Sequence, residues 1–211
     1  MNAAIADIGR FLGALVVGYL FGSVPSGVLV GKLFGDKDPR AVGSGKTGAT
    51  NILRTVGPGA ALIVACTDMA KGAIPVLLAR YVIFPGQPWA EVVAGLAALL
   101  GHNYSLFIGF KGGRGVATGA GAGLAMQPVV ILVAACFFSI PIAVTRYVSL
   151  GSILAAASTA VGDAVLVATG RDSYAHLAYF VISSAVVIYS HRDNITRLLH
   201  GTERKLGQKA T

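Results

Sequence analysis

This chain has few charged residues and few cysteines. Only 12% of its 211 residues are Asp, Glu, Lys or Arg, and 55% are hydrophobic, whereas soluble domains carry about 25% charged residues. The composition excludes an ordinary water-soluble domain and predicts an all-α integral membrane protein with a single polytopic domain, residues 1–211. The two cysteines, Cys66 and Cys136, each lie in an apolar run. We therefore expect small buried hydrophobic residues there, and neither a disulfide nor a metal site.

Acidic residues are scarcer than basic ones. The chain has 9 Asp and Glu against 17 Lys and Arg, for a net charge of +8. Long apolar runs separate the cations and no dense basic face forms, so we expect no nucleic-acid partner. Anionic membrane lipids or a phosphorylated substrate explain the charge better. No basic segment precedes the first apolar run, and we expect no cleaved signal peptide.

Signatures of several enzyme classes are absent. Gly45-Lys46-Thr47 resembles part of a nucleotide-binding P-loop, but that motif needs a glycine where the chain has Arg40. No serine lies in the Gly-x-Ser-x-Gly pattern of esterases. No histidine is followed five residues later by aspartate, as in one large class of acyl-transfer enzymes, and no His or Cys cluster has metal-ligand spacing. We expect no metal and no other cofactor.

Seven apolar stretches are candidates for crossing a bilayer, since about 20 helical residues span its apolar core. In the first stretch, Ser23 and Pro25 interrupt the run and predict a kink that offers hydroxyl groups near its inner end. The alternative is a packing kink whose serines bond their own backbone. The seven stretches are about 9–31, 58–80, 89–108, 115–126, 129–145, 150–168 and 174–190.

The distribution of Lys and Arg favours all seven crossings. With the N-terminus outside, 13 of the 17 cations fall on one side and 3 on the other, and Lys71 lies within a span. Merging the fourth and fifth stretches would give 8 on each side. Because cytoplasmic loops carry the excess of cations, we predict seven transmembrane helices, the N-terminus outside and the C-terminus in the cytoplasm.

Two charged residues interrupt the second span. Asp68 and Lys71 are three residues apart and so share one helical face. A charge inside a membrane span is expensive and suggests a function. The two can also pair with each other and fix the helix against its neighbours, and we prefer this structural interpretation.

The longest polar stretch runs from Gly43 to Asn51 and is closed by Arg54. Its glycines let backbone N–H groups turn toward one point, which suits a phosphate. The donors around them are Ser44, Lys46, Thr47, Thr50 and Arg54. A second glycine loop, Phe110–Thr118, carries two cations, and polar residues recur at Ser149 and after His191.

Together these four polar segments could bind two phosphate-bearing groups and stabilise charge at a reacting carbonyl. The alternative is that they are ordinary basic loops at a membrane surface. That alternative explains the cations but not the enrichment in glycine, serine and asparagine.

These segments resemble, in order and spacing, those of the bacterial membrane acyl-phosphate:glycerol-3-phosphate acyltransferases. The resemblance covers residues from about 10 to about 207. Two positions depart from the family: Lys46 stands where it usually has Asn, and Arg114 where it often has Lys. The matching segments are Gly22–Gly27, Gly43–Asn51, Gly101–Asn103 with Phe110–Thr118, and His191–Ile195 with Gly201–Glu203.

The resemblance implies transfer of a fatty acyl group from acyl phosphate to the 1-hydroxyl of sn-glycerol 3-phosphate. The products would be lysophosphatidic acid and phosphate, in the first step of phospholipid synthesis. The enzyme would lie in the bacterial cytoplasmic (inner) membrane, among membrane lipids, with its active site facing the cytoplasm. Because acyl phosphate is already activated, no covalent acyl-enzyme is required, and a substrate phosphate could accept the hydroxyl proton.

The resemblance and the loop composition together predict the site residues. We expect catalytic roles for Ser44, Arg54, Lys111, His191 and Asn194. Residues expected to bind substrate are Ser23, Gly43, Gly45, Lys46, Thr47, Asn51, Gly112, Gly113, Arg114 and Ser149. Structural roles fall to Glu203, Asp68 and Lys71. The acyl chain would lie between helices where Gly119, Gly121 and Gly123 leave room.

The rival hypothesis is a transporter or exchanger of phosphorylated metabolites. Such a protein could use the same basic loops and the broken first helix, but it would need an inverted repeat or a binding site at the membrane midplane. The chain has no evident repeat, and most polar residues cluster toward one face. This pattern favours interfacial chemistry over transport.

Overall fold

The structure is a computed structural model that describes residues 3–208. Lys209, which entered the cation count, and the two ends of the predicted domain 1–211 lie outside the described residues. Residues 3–208 form helices without β-strands, including a π-helical turn at Ala79–Ile83 and a 3-10 turn at Leu106–Ile108. The α-helices are α1 Ala3–Ser23, α2 Ser26–Gly35, α3 Ala49–Thr55, α4 Pro58–Leu78, α5 Pro88–Asn103, α6 Val116–Met126, α7 Pro128–Thr145, α8 Val148–Ala168, α9 Tyr174–Ser190 and α10 Arg192–Leu199.

Five helical stretches within the described residues are long and apolar enough to cross a membrane. They are Ala3–Gly35, Pro58–Ile83, Pro88–Ile108, Pro128–Thr145 and Val148–Ala168. The two other predicted spans coincide with α6 and α9, which are apolar but only 11 and 17 residues long. Every predicted apolar stretch is therefore helical, whereas seven crossings and their orientation stay a prediction.

The first apolar stretch breaks at Pro25, between α1 and α2. Helix backbone freed by such a break must find new partners inside a membrane. Lys71 Nζ donates to the carbonyl of Val24 at 2.9 Å, and Ser105 Oγ donates to the carbonyl of Ser23 at 2.5 Å. The predicted kink is thus present, and its free carbonyls accept hydrogen bonds from neighbouring segments.

The helices pack in two groups. In the first group α1 packs on α5 and α4 packs on α6, while in the second α8 packs on both α7 and α9. Glycines allow the close contact of α4 with α6, because a Cβ at Gly72 or at Gly121 would overlap the backbone of the other helix. The two groups meet where α5 contacts α9 and where α6 contacts α7.

Large apolar side chains face outward on the long helices. Leu132 and Val144 on α7, for example, are 64% and 78% exposed. Cys66 and Cys136 are exposed as well, so the prediction that they are buried is wrong. An apolar span looks alike on both faces because lipid is as apolar as the protein interior, and hydropathy alone does not separate the two.

Candidate active site

A cavity of about 410 Å³ lies between the two helix groups. Its polar end is formed by the loop Gly43–Asn51, called the first loop, by α10 and by the segment after α10 that contains Glu203. Its apolar arm runs between α6, α7, α8 and α9. The polar end includes Ser44, Lys46, Asn51, Arg54, Arg114, Ser149, His191, Asn194 and Glu203, all singled out in the sequence. These residues come from five separate segments, and the fold brings them to one place.

Asn51 holds the first loop in shape. Its Nδ2 donates to the carbonyls of Pro39 at 2.8 Å, Val42 at 3.1 Å and Lys46 at 2.9 Å. Its Oδ1 accepts the backbone N–H of Ser44 at 2.9 Å. The Asn51 amide is therefore engaged within the protein. Although Asn51 borders the cavity, this geometry explains it as the anchor of the loop, whereas the sequence predicted a substrate ligand.

The glycines of the first loop also maintain its backbone conformation. Gly43 and Gly45 have φ of 65° and 69°, a region that favours glycine, and a Cβ at Gly43 would overlap Asn51 Oδ1. Thr47 is buried, and its carbonyl packs against Gly27 of α2. None of the three borders the cavity, so packing accounts for them. The exposed Ser44 and the half-buried Lys46 do border it, as do Gly48, Ala49 and Thr50 next to Asn51.

Arg54 and Arg114 bring unpaired positive charge to the polar end. Among the described residues, the buried Nε of each has no hydrogen-bond partner. Arg54 Nη2 donates to the carbonyl of Arg204 at 3.2 Å. Burial lowers the pKa of both guanidinium groups, but arginine stays protonated in proteins. Two partly buried cations with free donors favour an anionic ligand.

Glu203 joins three segments at the edge of this site. It accepts hydrogen bonds from Ser149 Oγ at 2.9 Å, Asn194 Nδ2 at 2.7 Å and Arg197 Nε at 2.8 Å. Burial alone would raise the pKa of Glu203, but the hydrogen bonds, led by the one from Asn194, outweigh it and lower the pKa. The ionised carboxylate therefore fixes two predicted site residues, Ser149 of α8 and Asn194 of α10.

His191 is a buried neutral imidazole on the cavity wall. Its Nδ1 lies 2.8 Å from the carbonyl of Val187. Because a carbonyl only accepts, Nδ1 carries the proton and Nε2 keeps a lone pair. Burial, with a further contribution from the Arg114 charge, lowers the pKa of His191 to about 4. At neutral pH, His191 can thus accept a hydrogen bond through Nε2.

The second glycine loop packs against the end of α5. Gly112 N–H donates to the carbonyl of Asn103 at 3.1 Å, and Gly113 N–H donates to that of His102 at 3.2 Å. A Cβ at either glycine would overlap these residues. Both N–H groups are thus occupied, and packing, not the predicted phosphate contact, explains the two glycines. Lys111 is exposed and lies away from the cavity wall. Of the site residues predicted in this loop, only Arg114 lines the cavity.

Asp68 and Lys71 form the expected pair, with Nζ and Oδ1 2.7 Å apart. Asp68 also accepts from Ser26 Oγ, and His102 Nδ1 lies 3.5 Å from its Oδ1. Asp68 borders the cavity, whereas Lys71 does not. Ser23, predicted to bind substrate, is buried away from the cavity wall, and its Oγ has no partner among residues 3–208.

The sequence analysis located the apolar arm only by three glycines of α6 and missed the residues of α8 that line it. Small residues on one face of α8 form much of it, and Gly119 borders it as predicted. Gly121 and Gly123 do not, because they pack against Met69 and against Ile131 and Phe180. The helical spacing of the α8 residues was the available signal. These residues are Ser149, Ser152, Ala155, Ala156 and Thr159.

Comparison with known proteins gives a consistent result. The glycerol-3-phosphate acyltransferase family matches residues 12–201. Proteins named glycerol-3-phosphate acyltransferase from Synechococcus sp. (strain CC9902) and from Thermus thermophilus are 46% and 44% identical, each over 92% of this chain and 94% of the relative.

Two crystal structures of PlsY, an integral membrane glycerol 3-phosphate acyltransferase, resemble this fold. The glycerol 3-phosphate form has a TM-score of 0.85 and 40% identity, covering 93% of this chain and 96% of that one. The lysophosphatidic acid form has a TM-score of 0.83 and 36% identity, covering 93% and 95%.

Proposed function

The chain belongs to the glycerol-3-phosphate acyltransferase family and is an integral membrane protein, and from this premise we propose the reaction that its cavity carries out. A fatty acyl group moves from acyl phosphate to the 1-hydroxyl of sn-glycerol 3-phosphate. The products are lysophosphatidic acid and inorganic phosphate. The reaction supplies the first acylated intermediate of phospholipid synthesis.

One observation carries the proposal: a single cavity joins two partly buried, unpaired cations to an apolar arm. Arg54 and Arg114 lie at one end with free Nε donors, and α8 and α9 line the other end with small and apolar side chains. Arginine suits phosphate because its fork of donors matches phosphate oxygens. A donor that carries a phosphate and a fatty chain on the same carbonyl fits both ends at once.

The other polar residues have separate roles. Ser44 and Lys46 border the cavity from the first loop and add donors for the second phosphate-bearing substrate. Asn194 and Ser149 are held by Glu203, so their positions are fixed before substrate binds. Lys111 acts from outside the cavity wall and attracts phosphate substrates to its mouth.

The chemical step needs no covalent enzyme intermediate. The 1-hydroxyl oxygen attacks the acyl carbonyl carbon and forms the new ester C–O bond. The C–O bond to phosphate breaks, and phosphate leaves with the electron pair of that bond. The hydroxyl proton passes to the departing phosphate, so atoms and charge balance. His191 Nε2 accepts a hydrogen bond from the hydroxyl and orients it, while the guanidinium groups stabilise the charge that develops on the phosphate.

The polar end of the cavity faces the cytoplasm in this proposal, and the chain crosses the inner membrane seven times. The 13 to 3 division of Lys and Arg supports this orientation. A single cysteine at position 202, in a chain with Cys66→Ser and Cys136→Ser, should react with an impermeant thiol reagent only after the membrane is opened. Labelling of Thr202→Cys from outside intact cells would contradict the orientation.

The activity test compares donors with the purified protein and glycerol 3-phosphate. Palmitoyl phosphate should give lysophosphatidic acid, whereas palmitoyl-CoA and palmitoyl-acyl carrier protein should not. Comparable product from either thioester, or an acyl-serine detected by mass spectrometry, would overturn the proposed donor. Uptake of glycerol 3-phosphate into proteoliposomes without product would favour the transporter instead.

A further inference from the structure

The apolar arm of the cavity, called here the slot, has a measurable depth. One face of each of three helices lines it: Ile131–Phe138 on α7, 149–159 on α8 and 180–187 on α9. Each lining runs from the polar end to the same far end. Helices rise about 1.5 Å per residue, so the ten steps from Ser149 to Thr159 correspond to about 15 Å.

The far end of the slot rests on the hydrophobic core. Ile131, Thr159 and Phe180 are the deepest lining residues on their helices, and we call these three the floor. Phe180 is fully buried and belongs to a cluster that includes Met126 and Val130, with Ile131 packed against it. Among residues 3–208, buried side chains of this cluster therefore pack behind Phe180.

Several contacts keep the floor from retreating. The Phe180 ring stands edge-on to Tyr179 with centroids 5.3 Å apart, and Tyr179 Oη donates to the carbonyl of Gly119 at 2.8 Å. Even one added carbon at Gly123 would lie 2.8 Å from both Ile131 and Phe180. Such close packing resists the insertion of further methylene groups.

A hydrogen-bonded bridge closes the floor between α8 and α9. Thr159 Oγ1 and Ser184 Oγ lie 3.1 Å apart, and Ser184 Oγ donates to the carbonyl of Ala156 at 2.5 Å. These hydroxyl groups are satisfied within the protein. They hold the two helices together at the depth where the slot ends.

We propose that this floor sets the acyl chain length that the enzyme prefers, with Ile131, Thr159 and Phe180 as specificity-determining residues. The inference rests on the proposed function, since it takes the slot as the acyl-chain site. An extended chain advances about 1.2 Å per bond, so a straight slot of about 15 Å holds about 12 bonds. Methylene groups beyond that length must bend or lie outside the slot, and they contribute less binding.

The test uses one variant that shortens the slot and another that deepens it. Ala155→Phe fills the slot above the floor and should lower kcat/KM for palmitoyl phosphate at least about tenfold more than for octanoyl phosphate, since one methylene in a pocket is worth about 10- to 200-fold. Phe180→Leu removes ring atoms from the floor and should shift the preference toward longer chains. Val161→Phe is the matched control, because Val161 lies on α8 but is 66% exposed toward lipid.

The outcomes separate this inference from the reaction itself. Absence of product from any acyl phosphate in the unaltered protein would overturn the proposed function. Product from the unaltered protein, with Ala155→Phe lowering octanoyl and palmitoyl transfer equally, would overturn the floor alone. If Phe180→Leu fails to fold, Thr159→Ala tests the same floor and should give the same shift toward longer chains, and an unchanged preference in it would count against the inference.

Discussion

Two polar clusters lie at opposite ends of the helices, and only one of them leaves its cations free. At the end away from the cavity mouth, Arg80 pairs with Glu91 at 2.6 Å and His176 lies 2.7 Å from Asp172. Gln127 also donates to Asp172 at 2.8 Å. Arg80 and His176 each lie beside a carboxylate.

At the cavity, Glu203 is matched by Arg197, which leaves Arg54 and Arg114 without a carboxylate partner among residues 3–208. Buried charges are tolerated when they are paired. In the first cluster Arg80 and His176 have carboxylate neighbours within the protein, whereas in the second the guanidinium groups of Arg54 and Arg114 keep donors that are free within the described residues and suit an anion. In the proposed function, arginine therefore serves structure at one end and binding at the other.

Breaking the paired cluster should give the largest loss of stability. Arg80→Ala leaves the Glu91 carboxylate buried without its closest cation, which costs about 3 kcal/mol in the free energy of unfolding. Thermal unfolding in detergent measures it. The double variant Arg80→Met with Glu91→Leu should recover most of the loss, because an apolar pair replaces both charges. A double variant as unstable as Arg80→Ala would contradict the pairing argument.

Breaking the unpaired cluster should instead lower activity. Arg54→Ala removes a donor that no carboxylate holds. The transition-state stabilisation calculated from the ratio of the kcat/KM values should fall by about 2–5 kcal/mol, while the unfolding temperature changes little. Arg54→Lys keeps the charge but loses the fork of donors, and it should recover only part of the loss. If Arg54→Ala destabilised the protein as Arg80→Ala does while keeping its kcat/KM, the distinction between the clusters would fail.

The sequence predicted local features of the fold and the site better than contacts between distant segments. The break at Pro25 and the pair of Asp68 with Lys71 were predictable, because both depend on neighbours within one turn of the chain. The contact of Ser149 with Glu203 joins residues 54 positions apart, and no local pattern encodes it.

Two short helices were missed for a related reason. The helices α3 and α10 lie in stretches that were predicted only as polar loops or tail, because polar composition hid their helical spacing. The glycines Gly112 and Gly113 suggested phosphate binding, yet the end of α5 uses their N–H groups. A glycine-rich sequence permits close approach of backbone, and it does not tell whether a ligand or another helix makes that approach.

Glu203 is the carboxylate of the cavity cluster that pairs with a cation, Arg197. Its replacement should lower the stability of the protein by an intermediate amount. Glu203→Ala leaves Asn194 Nδ2 and Ser149 Oγ without their acceptor, which costs about 1–3 kcal/mol in stability. Glu203→Gln keeps an acceptor oxygen and should lose less.

The pH dependence of this contribution follows from the lowered pKa of Glu203. The stability is present above the ordinary pKa of a glutamate and is lost as pH falls through the lower folded value. Unfolding of the unaltered protein and of Glu203→Gln across this acidic range tests the sign. An unaltered protein that gains stability relative to the variant as pH falls would contradict it.

Lys111 should matter less than Arg54, since it is exposed and lies off the cavity wall. Lys111→Ala should raise KM for glycerol 3-phosphate less than about tenfold at low salt, and the difference should shrink as salt increases. Steady-state kinetics at two ionic strengths measures this. A salt-independent loss as large as that of Arg54→Ala would mean that Lys111 contacts substrate directly.

Replacement of His191 should have the smallest effect on the pH dependence of activity. It tests whether His191 only orients the substrate hydroxyl or also changes its protonation state near neutral pH. Its pKa of about 4 leaves the imidazole neutral between pH 6 and 8. The ratio of kcat/KM for the unaltered enzyme to that for His191→Gln should therefore stay constant across this range, because neither side chain changes charge. Below pH 6 the ratio should remain flat until the pH approaches 4, where the ring gains a proton on Nε2 and stops accepting.

A lowered pKa also means that His191 stabilises the fold above its ordinary pKa and loses that contribution as pH falls toward 4. A step in the ratio near pH 6.5 would mean that the imidazole is accessible to water and titrates as an ordinary histidine, and the hydrogen bond from Nδ1 to the Val187 carbonyl would not describe the working enzyme.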